Sequence, residues 1–395
     1  MDAGGFGCKN LGTIEENLGM LGVQQRNREL VRNASHTFHL WETARPDMNR
    51  LINDIETKHN DPAASQPGIG FVKYAEPEPE LQLNTEPEVA IGKNFDFDKT
   101  WHPKYRNNMV HIDQCSYTGN GVDIAVIDSG VEPAAKGVVS FNDILGKSNT
   151  EVDDSGHGTA MVRIINDIAP DANIYVYRAV EQRVARLWDV MSAIATAVST
   201  VSPKIINLSL GIPKIDCMQC GGTTLTRTRV CRDFVVAMNA LQRNLNNTQP
   251  IYVAAVGNQG RSNGFNIPAY YDLTLAVGAT DSNYERSVFS NYGTPPNEKQ
   301  KDNYLLLPGG KTDSQDKPVE YIGTATDDNN YTTYCIGTSP ATAMATGLLA
   351  LYMEKNYYDG RNPSQILDRA LKNCNNQSIQ NYTSDEHGKG MFFYQ

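Results

Sequence analysis

Long apolar runs are missing from this sequence. No stretch approaches the roughly 18 residues that cross a bilayer, and Met1 to Asn10 carries neither an early basic cluster nor the apolar centre of a secretory signal. The expectation is a soluble, intracellular (cytoplasmic) protein with no membrane partner, secreted only if sequence is missing ahead of Met1. Positive charge is also short: 35 Lys and Arg stand against 45 Asp and Glu, a net charge of −10. A broad electropositive surface, and with it a nucleic-acid partner, is not expected. Cysteines are few and odd in number, seven in 395 residues, which argues against a fully paired extracellular framework. Cys217, Cys220 and Cys231 come nearest to a cluster, but a tetrahedral zinc site needs a fourth ligand and no His or Cys lies nearby. Free thiols or one local disulfide are the simpler reading. Glycine motifs for nucleotides fail too. Gly4-Gly5-Phe6-Gly7 has no strand before it, and Gly146-Lys147-Ser148 has Phe141 where a phosphate loop needs its first glycine.

What is present suffices for a large core. Hydrophobic residues make up 40 % of the chain and 32 glycines accompany them, the balance of a globular protein. Residues 1–75 form an N-terminal region whose pattern is weakly helical, with Leu30, Phe38, Leu40, Trp41 and Leu51 among polar residues. Residues 76–104 open with five Glu, three Pro and no Lys or Arg over 76–88, the composition of an extended, solvated linker. From 105 to 395 short apolar runs alternate with helix-period segments, which predicts an α/β fold with a mostly parallel sheet covered by helices. Strands are expected at 122–127, 174–177, 205–209 and 251–255. Helices are expected over 159–168, on the apolar face of Ala160, Met161, Ile164, Ile165 and Ile168, and along Leu187, Met191, Ile194 and Val198. In open α/β sheets ligands bind at the C-terminal ends of the strands.

Several polar residues fall at such ends. Asp128 closes a buried strand ahead of Ser129-Gly130, where an Asx turn would also account for it. His157 lies between glycines immediately before an amphipathic helix, whose dipole disfavours imidazolium; a plain capping role competes. Asn258 sits between Gly257 and Gln259-Gly260 after a strand, either as a turn residue or as a donor to developing negative charge. Ser339 precedes Pro340 and an apolar helix, which reads as an ordinary N-cap. The same geometry places a hydroxyl beside free backbone N–H groups able to hold an oxyanion.

Together these residues occupy segments that closely resemble the subtilisin-like serine proteases: Val122-Asp-Ile-Ala-Val-Ile-Asp-Ser-Gly130, Ser155-Gly-His-Gly-Thr159, Asn207-Leu-Ser-Leu-Gly211, Ala254-Ala-Val-Gly-Asn258 and Gly337-Thr-Ser339. The Asp, His, Ser chain order is that of a subtilisin. The resemblance runs from about residue 117 to 351 and departs from the family at Pro340-Ala-Thr-Ala343, where Met usually comes first and Pro last. It implies a three-layer subtilisin-like fold and a serine endopeptidase that hydrolyses protein or peptide substrates. Ser339 would be the nucleophile, His157 the general base and then acid, Asp128 its orienting carboxylate and Asn258 an oxyanion-hole donor. Ser209, Leu210 and Gly211 would offer an exposed strand edge to the substrate main chain, with Gly257 lining the pocket for the residue before the cut bond and Asn266 at its floor. No cofactor is required for this chemistry. Structural calcium is common in the family; Asp153-Asp154 or Asp327-Asp328 could supply oxygens, although no regular calcium-loop spacing is present. Residues 1–75 would be an inhibitory propeptide cut within 76–104, or an interaction module that stays attached. The segment 212–232, with its three cysteines, would sit near the cleft and modulate access or sense redox state. The competing reading is a catalytically silent regulatory or binding protein that keeps the sheet.

Overall fold

A computed structural model describes residues 23–25, 41–43, 80–83, 94–211, 250–262, 264–271, 274–293, 303–326, 332–357 and 362–394. The chain divides into two compact units, Met1–Pro79 with Cys217–Asn244, and Glu80–Asp216 with Leu245–Gln395. In the first, the described residues are β1 (Val23–Gln25) and β2 (Trp41–Thr43), an antiparallel pair. They are strands within the region that the pattern assigned to helix. A weak 3.6-residue periodicity gave way here to pairing between segments that are not neighbours in sequence. The three cysteines of 212–232 lie outside the described residues, as do Asp327 and Asp328.

The second unit opens with β3 (Glu80–Leu83) and β4 (Asn94–Phe97). It continues through β5 (Asp123–Asp128), β6 (Val138–Asp143), β7 (Asn173–Arg178), β8 (Val184–Arg186), β9 (Ile205–Leu208), β10 (Leu210–Gly211), β11 (Ile251–Ala255), β12 (Thr274–Thr280) and β13 (Tyr304–Pro308). Four short strands follow: β14 (Lys311–Thr312), β15 (Pro318–Glu320), β16 (Gly323–Thr326) and β17 (Thr332–Cys335). Seven strands make the central sheet in the order β13-β12-β11-β9-β5-β7-β6, parallel throughout. The strand sequences explain the burial. Ile124, Ala125, Val126 and Ile127 of β5 and all four residues of β9 are buried, as continuous apolar runs covered on both faces must be.

Helices α1 (His157–Ile168), α2 (Leu187–Thr200), α3 (Thr338–Tyr357), α4 (Pro363–Lys372) and α5 (Ser384–His387) flank it. α2 packs over β5 and β7, while α1 and α3 pack on one another and over β5, β9 and β11–β13. A side chain at Gly347 would put a Cβ 2.8 Å from the Cβ of Ile168, so glycine lets these two helices approach. α3 is buried nearly all round, from Ala341 to Met353, which is why it shows little amphipathic contrast. Among the described residues no helix is long and apolar enough to cross a membrane.

The linker expected over 76–104 needs correcting. β3 is the middle strand of a three-stranded sheet, β10-β3-β8, and β4 pairs with β16 in another. Glu and Pro dominate the average composition of the segment, but Glu80-Leu81-Gln82-Leu83 carries a two-residue alternation suited to a strand. Edge strands β6 and β13 were also missed; β6 is only partly buried and lacks a continuous apolar run.

In α5, burial holds the His387 imidazole below its ordinary pKa, against the opposing pull of the Thr383 carbonyl. The unfolded chain therefore binds this proton more readily, so the contribution to stability is complete above the ordinary value near 6.5 and is lost as pH falls through it. The melting temperature is expected to fall less between pH 7 and pH 5 in His387→Gln than in the wild type, as read by calorimetry. Equal slopes would remove His387 from the acid response.

Candidate active site

β5 delivers Asp128 to the C-terminal edge of the sheet, fully buried. One carboxylate oxygen, Oδ1, accepts from the Ser129 N–H at 2.7 Å and lies 2.6 Å from His157 Nδ1. His157 is the first residue of α1 and is 1 % exposed. Gly156, at φ 73°, turns the chain into the helix. Gly158 admits the backbone of Gly130, whose carbonyl oxygen a Cβ would meet at 2.1 Å. These glycines explain the Gly-His-Gly spacing: they let the helix start press onto the strand end.

Sequence reasoning missed the group that organises this junction. Asp153 is buried and accepts from Gly156 N–H at 2.8 Å, Thr159 N–H at 2.8 Å, the Thr159 hydroxyl at 2.7 Å and Ser155 N–H at 3.2 Å. The Ser129 hydroxyl lies 2.8 Å from Asp153 Oδ1 and 3.3 Å from Asp128 Oδ1. Its single proton thus points to Asp153, while it accepts from the Ser155 hydroxyl at 2.8 Å and the Gly158 N–H at 3.0 Å. Asp153 satisfies the N–H of Gly156, the N-cap of α1, and of Thr159 in its first turn, and complements the helix dipole. The calcium expectation at Asp153-Asp154 is corrected accordingly. Asp153 is committed to these donors and Asp154 is paired with Arg178, which also binds Asp143 at 3.1 Å. Among the described residues no group of three or more His, Cys, Asp or Glu is arranged to hold a metal.

Ser339 lies in the first turn of α3, fully buried, rather than at the N-cap. Its hydroxyl donates to the Ser209 carbonyl at 3.1 Å, and the Ser209 hydroxyl donates to the Ser339 carbonyl at 3.2 Å. This reciprocal pair joins the helix to the strand end. Asn207 extends it, donating to the Ser209 hydroxyl at 3.1 Å and accepting from Thr346 at 3.0 Å. His157 Nε2 is buried and has no hydrogen-bond partner among the described residues. The structure therefore brings Asp128 and His157 into direct contact but turns the Ser339 hydroxyl to Ser209. A serine hydroxyl changes direction by one χ1 rotation, and nucleophile–base hydrogen bonds often tighten only when substrate is bound.

Asn258 is fixed by Thr338. Its Oδ1 accepts from the Thr338 N–H and the Thr338 hydroxyl, both at 2.8 Å. The Thr338 N–H can only donate, so the amide nitrogen is the other arm of the side chain. Gly257, at φ 104°, sits over two amides: a Cβ there would lie 2.5 Å from Asn266 Nδ2 and 2.5 Å from Asn291 Nδ2. Asn291 went unassigned in the sequence, though it lies in Phe289-Ser-Asn-Tyr-Gly293. It accepts from Gln259 and Arg261 N–H groups at 3.1 and 3.0 Å and donates to the Gly264 carbonyl at 2.8 Å, which shapes the loop after Asn258. The described cysteines offer no rival nucleophile. Burial raises the thiols of Cys115, Cys335 and Cys374, the last to about 12, so none is a thiolate near neutrality.

The strand edge at Leu210 and Gly211, expected to be exposed, is already paired. Leu83 lies opposite Leu210 and Gln82 opposite Gly211. On the other side Glu80, Leu81 and Gln82 face Arg186, Ala185 and Val184.

A family model described as the subtilase family matches residues 119–390. The chain belongs to the subtilase family. It is 30 % identical over 338 residues to a thermophilic serine proteinase of Bacillus sp. strain AK1, covering 79 % of this chain and 71 % of that protein. It is also 30 % identical over 306 residues to a thermostable alkaline protease of Halalkalibacterium halodurans, covering 73 % of each. The solved nisin leader peptidase NisP of Lactococcus lactis superposes with a TM-score of 0.58 at 20 % identity, over 72 % of this chain and 90 % of that one, a likeness of fold. This subtilase is a serine-type endopeptidase.

Proposed function

We propose that this subtilase hydrolyses peptide bonds through Asp128, His157 and Ser339, with Asn258 and the Ser339 N–H as the oxyanion hole. The observation that carries the reading is the buried contact of 2.6 Å between His157 Nδ1 and Asp128, at the sheet edge onto which α3 brings Ser339. Asp128 holds the proton on Nδ1, which leaves Nε2 to accept the proton of the Ser339 hydroxyl. Ser339 Oγ attacks the substrate carbonyl carbon and the carbonyl oxygen takes the negative charge. The amine leaves with the proton from His157, and water then cleaves the acyl-enzyme by the reverse roles. Asn258 is suited to the oxyanion because Thr338 holds its oxygen and so orients its N–H₂.

Substrates are proteins or peptides held by main-chain pairing to Leu210 and Gly211, with Gly257, Asn266 and Asn291 forming a polar pocket. The chemistry itself needs no cofactor. Residues 1–75 are read as an inhibitory propeptide cut within 76–104, or as an interaction module that stays attached. A fluorophosphonate probe tests the central claim. Labelling of the folded wild type but not of Ser339→Ala is expected, whereas no labelling of the wild type would favour a catalytically silent protein. Asn258→Ala is expected to lower kcat about 100- to 1,000-fold with little change in KM, a magnitude known from a subtilisin. A loss expressed mainly in KM would remove Asn258 from the oxyanion hole.

A further inference from the structure

β9 carries an amide where its neighbours are apolar. Asn207 is fully buried and lies opposite Val126 of β5 and Val253 of β11, both fully buried as well. A carboxamide in such surroundings is costly unless its oxygen and its nitrogen are both hydrogen-bonded. Here both are, and each bond leads to α3. The nitrogen donates to the Ser209 hydroxyl at 3.1 Å, and that hydroxyl reaches the Ser339 carbonyl at 3.2 Å. The oxygen accepts from the Thr346 hydroxyl at 3.0 Å. Asn207, Ser209, Ser339 and Thr346 are all closed to solvent, so no water competes for these bonds.

The atom types fix the direction of the chain. An amide nitrogen can only donate, so the Ser209 oxygen accepts from Asn207 and its single proton goes to the Ser339 carbonyl. Thr346 sets the other end. A threonine inside a helix commonly returns its hydroxyl proton to the carbonyl one turn earlier, as Thr342 does to Thr338 at 2.7 Å. Thr346 gives its proton to the strand instead. Ser339 and Thr346 stand about two turns apart on one face of α3, and Asn207 and Ser209, two residues apart, share one face of the strand. The two pairs therefore meet, and donors run without a break from Thr346 through Asn207 and Ser209 to the main chain of Ser339.

The Ser339 hydroxyl has to leave the Ser209 carbonyl before it can reach His157 Nε2. The bond from the Ser209 hydroxyl to the Ser339 carbonyl need not break when it does, so the backbone of residue 339 stays in place while its side chain turns. We propose that Asn207 and Thr346 are positioning residues for acyl transfer: acting through Ser209, they hold the Ser339 main chain so that its hydroxyl and its N–H address the same substrate carbonyl. This inference rests on the proposed function and adds to it two residues that touch neither the substrate nor the reacting atoms.

Thr346→Val in the full chain tests this, since valine keeps the shape of the side chain and lacks the hydroxyl. Its kcat on a peptide substrate is expected to fall about 10- to 100-fold with KM unchanged, as a small misplacement of the nucleophile would cause. The rate of labelling by a fluorophosphonate should fall by the same factor. Thr346→Ser, which restores the donor, is expected to recover the wild-type rate. In an Asn207→Leu background the valine should cost no more than about twofold, because the link it breaks is already gone. Thr342→Val makes the same change at an equally buried threonine bonded within α3, and controls for packing; its kcat should hold. A Thr346→Val protein with wild-type kcat, a loss that Thr346→Ser does not recover, or an equal loss in Thr342→Val overturns this inference, and the proposed function stands as long as the wild type is active and labelled. A wild type neither active nor labelled removes both. Should urea unfolding show that Thr346→Val does not fold, Thr346→Ala, which also lacks the hydroxyl, is read against the same criteria.

Discussion

Ser339→Ala is expected to lower kcat on a peptide substrate by about 10⁶-fold, the magnitude measured when the nucleophile of a subtilisin is removed. The described cysteines offer no thiolate in its place, since burial raises the pKa of Cys115, Cys335 and Cys374. KM should change little, because the proposed main-chain pairing of substrate to Leu210 and Gly211 is left intact. The fold should survive too. The variant loses the hydrogen bond to the Ser209 carbonyl but keeps the one from the Ser209 hydroxyl to the residue 339 carbonyl, a cost of about 1 kcal/mol. Steady-state kinetics with urea unfolding as a control would check both parts. Activity within about 100-fold of wild type would end the assignment of Ser339 as nucleophile.

Asp128→Asn is the second large effect, a fall in kcat of about 10⁴-fold. Ser129 N–H and His157 Nδ1 both meet the same oxygen, at 2.7 and 2.6 Å. An asparagine that keeps its oxygen in that place preserves the tautomer but removes the negative charge on which a buried imidazolium depends. One that turns its N–H₂ toward His157 forces the proton to Nε2, where it blocks acceptance from Ser339. Either outcome disables the base, and neither touches the strand that binds substrate. The loss should therefore appear in kcat with KM held. A fall of less than about 100-fold would mean that Asp128 serves only the turn.

These two effects were legible in the sequence because Asp128 and His157 stand at boundaries that local patterns mark. A run of Ile, Ala, Val and Ile stops at Asp128, and an apolar helix face starts just after His157. Asp153 read as a solvated loop carboxylate that could at most lend oxygens to calcium, because a carboxylate in a loop looks solvated until its partners are known. Its donors come from Ser129, Ser155, Gly156 and Thr159, and one of those is a strand away. Asn291 escaped notice for the same reason, as its value lies in carbonyls and N–H groups of a loop about thirty residues away, between Val256 and Gly264.

The parallel sheet, its helices and the order of Asp, His, Asn and Ser along it were set by the amino-acid sequence alone, because strands buried on both faces must be continuous apolar runs and polar residues collect where those runs end. The direction of the Ser339 hydroxyl, the commitment of Asp153 and the seat of residues 80–83 against β10 were decided only by tertiary structure. Each depends on hydrogen bonds between residues remote in sequence, and no local pattern records which distant backbone a strand or a carboxylate will meet.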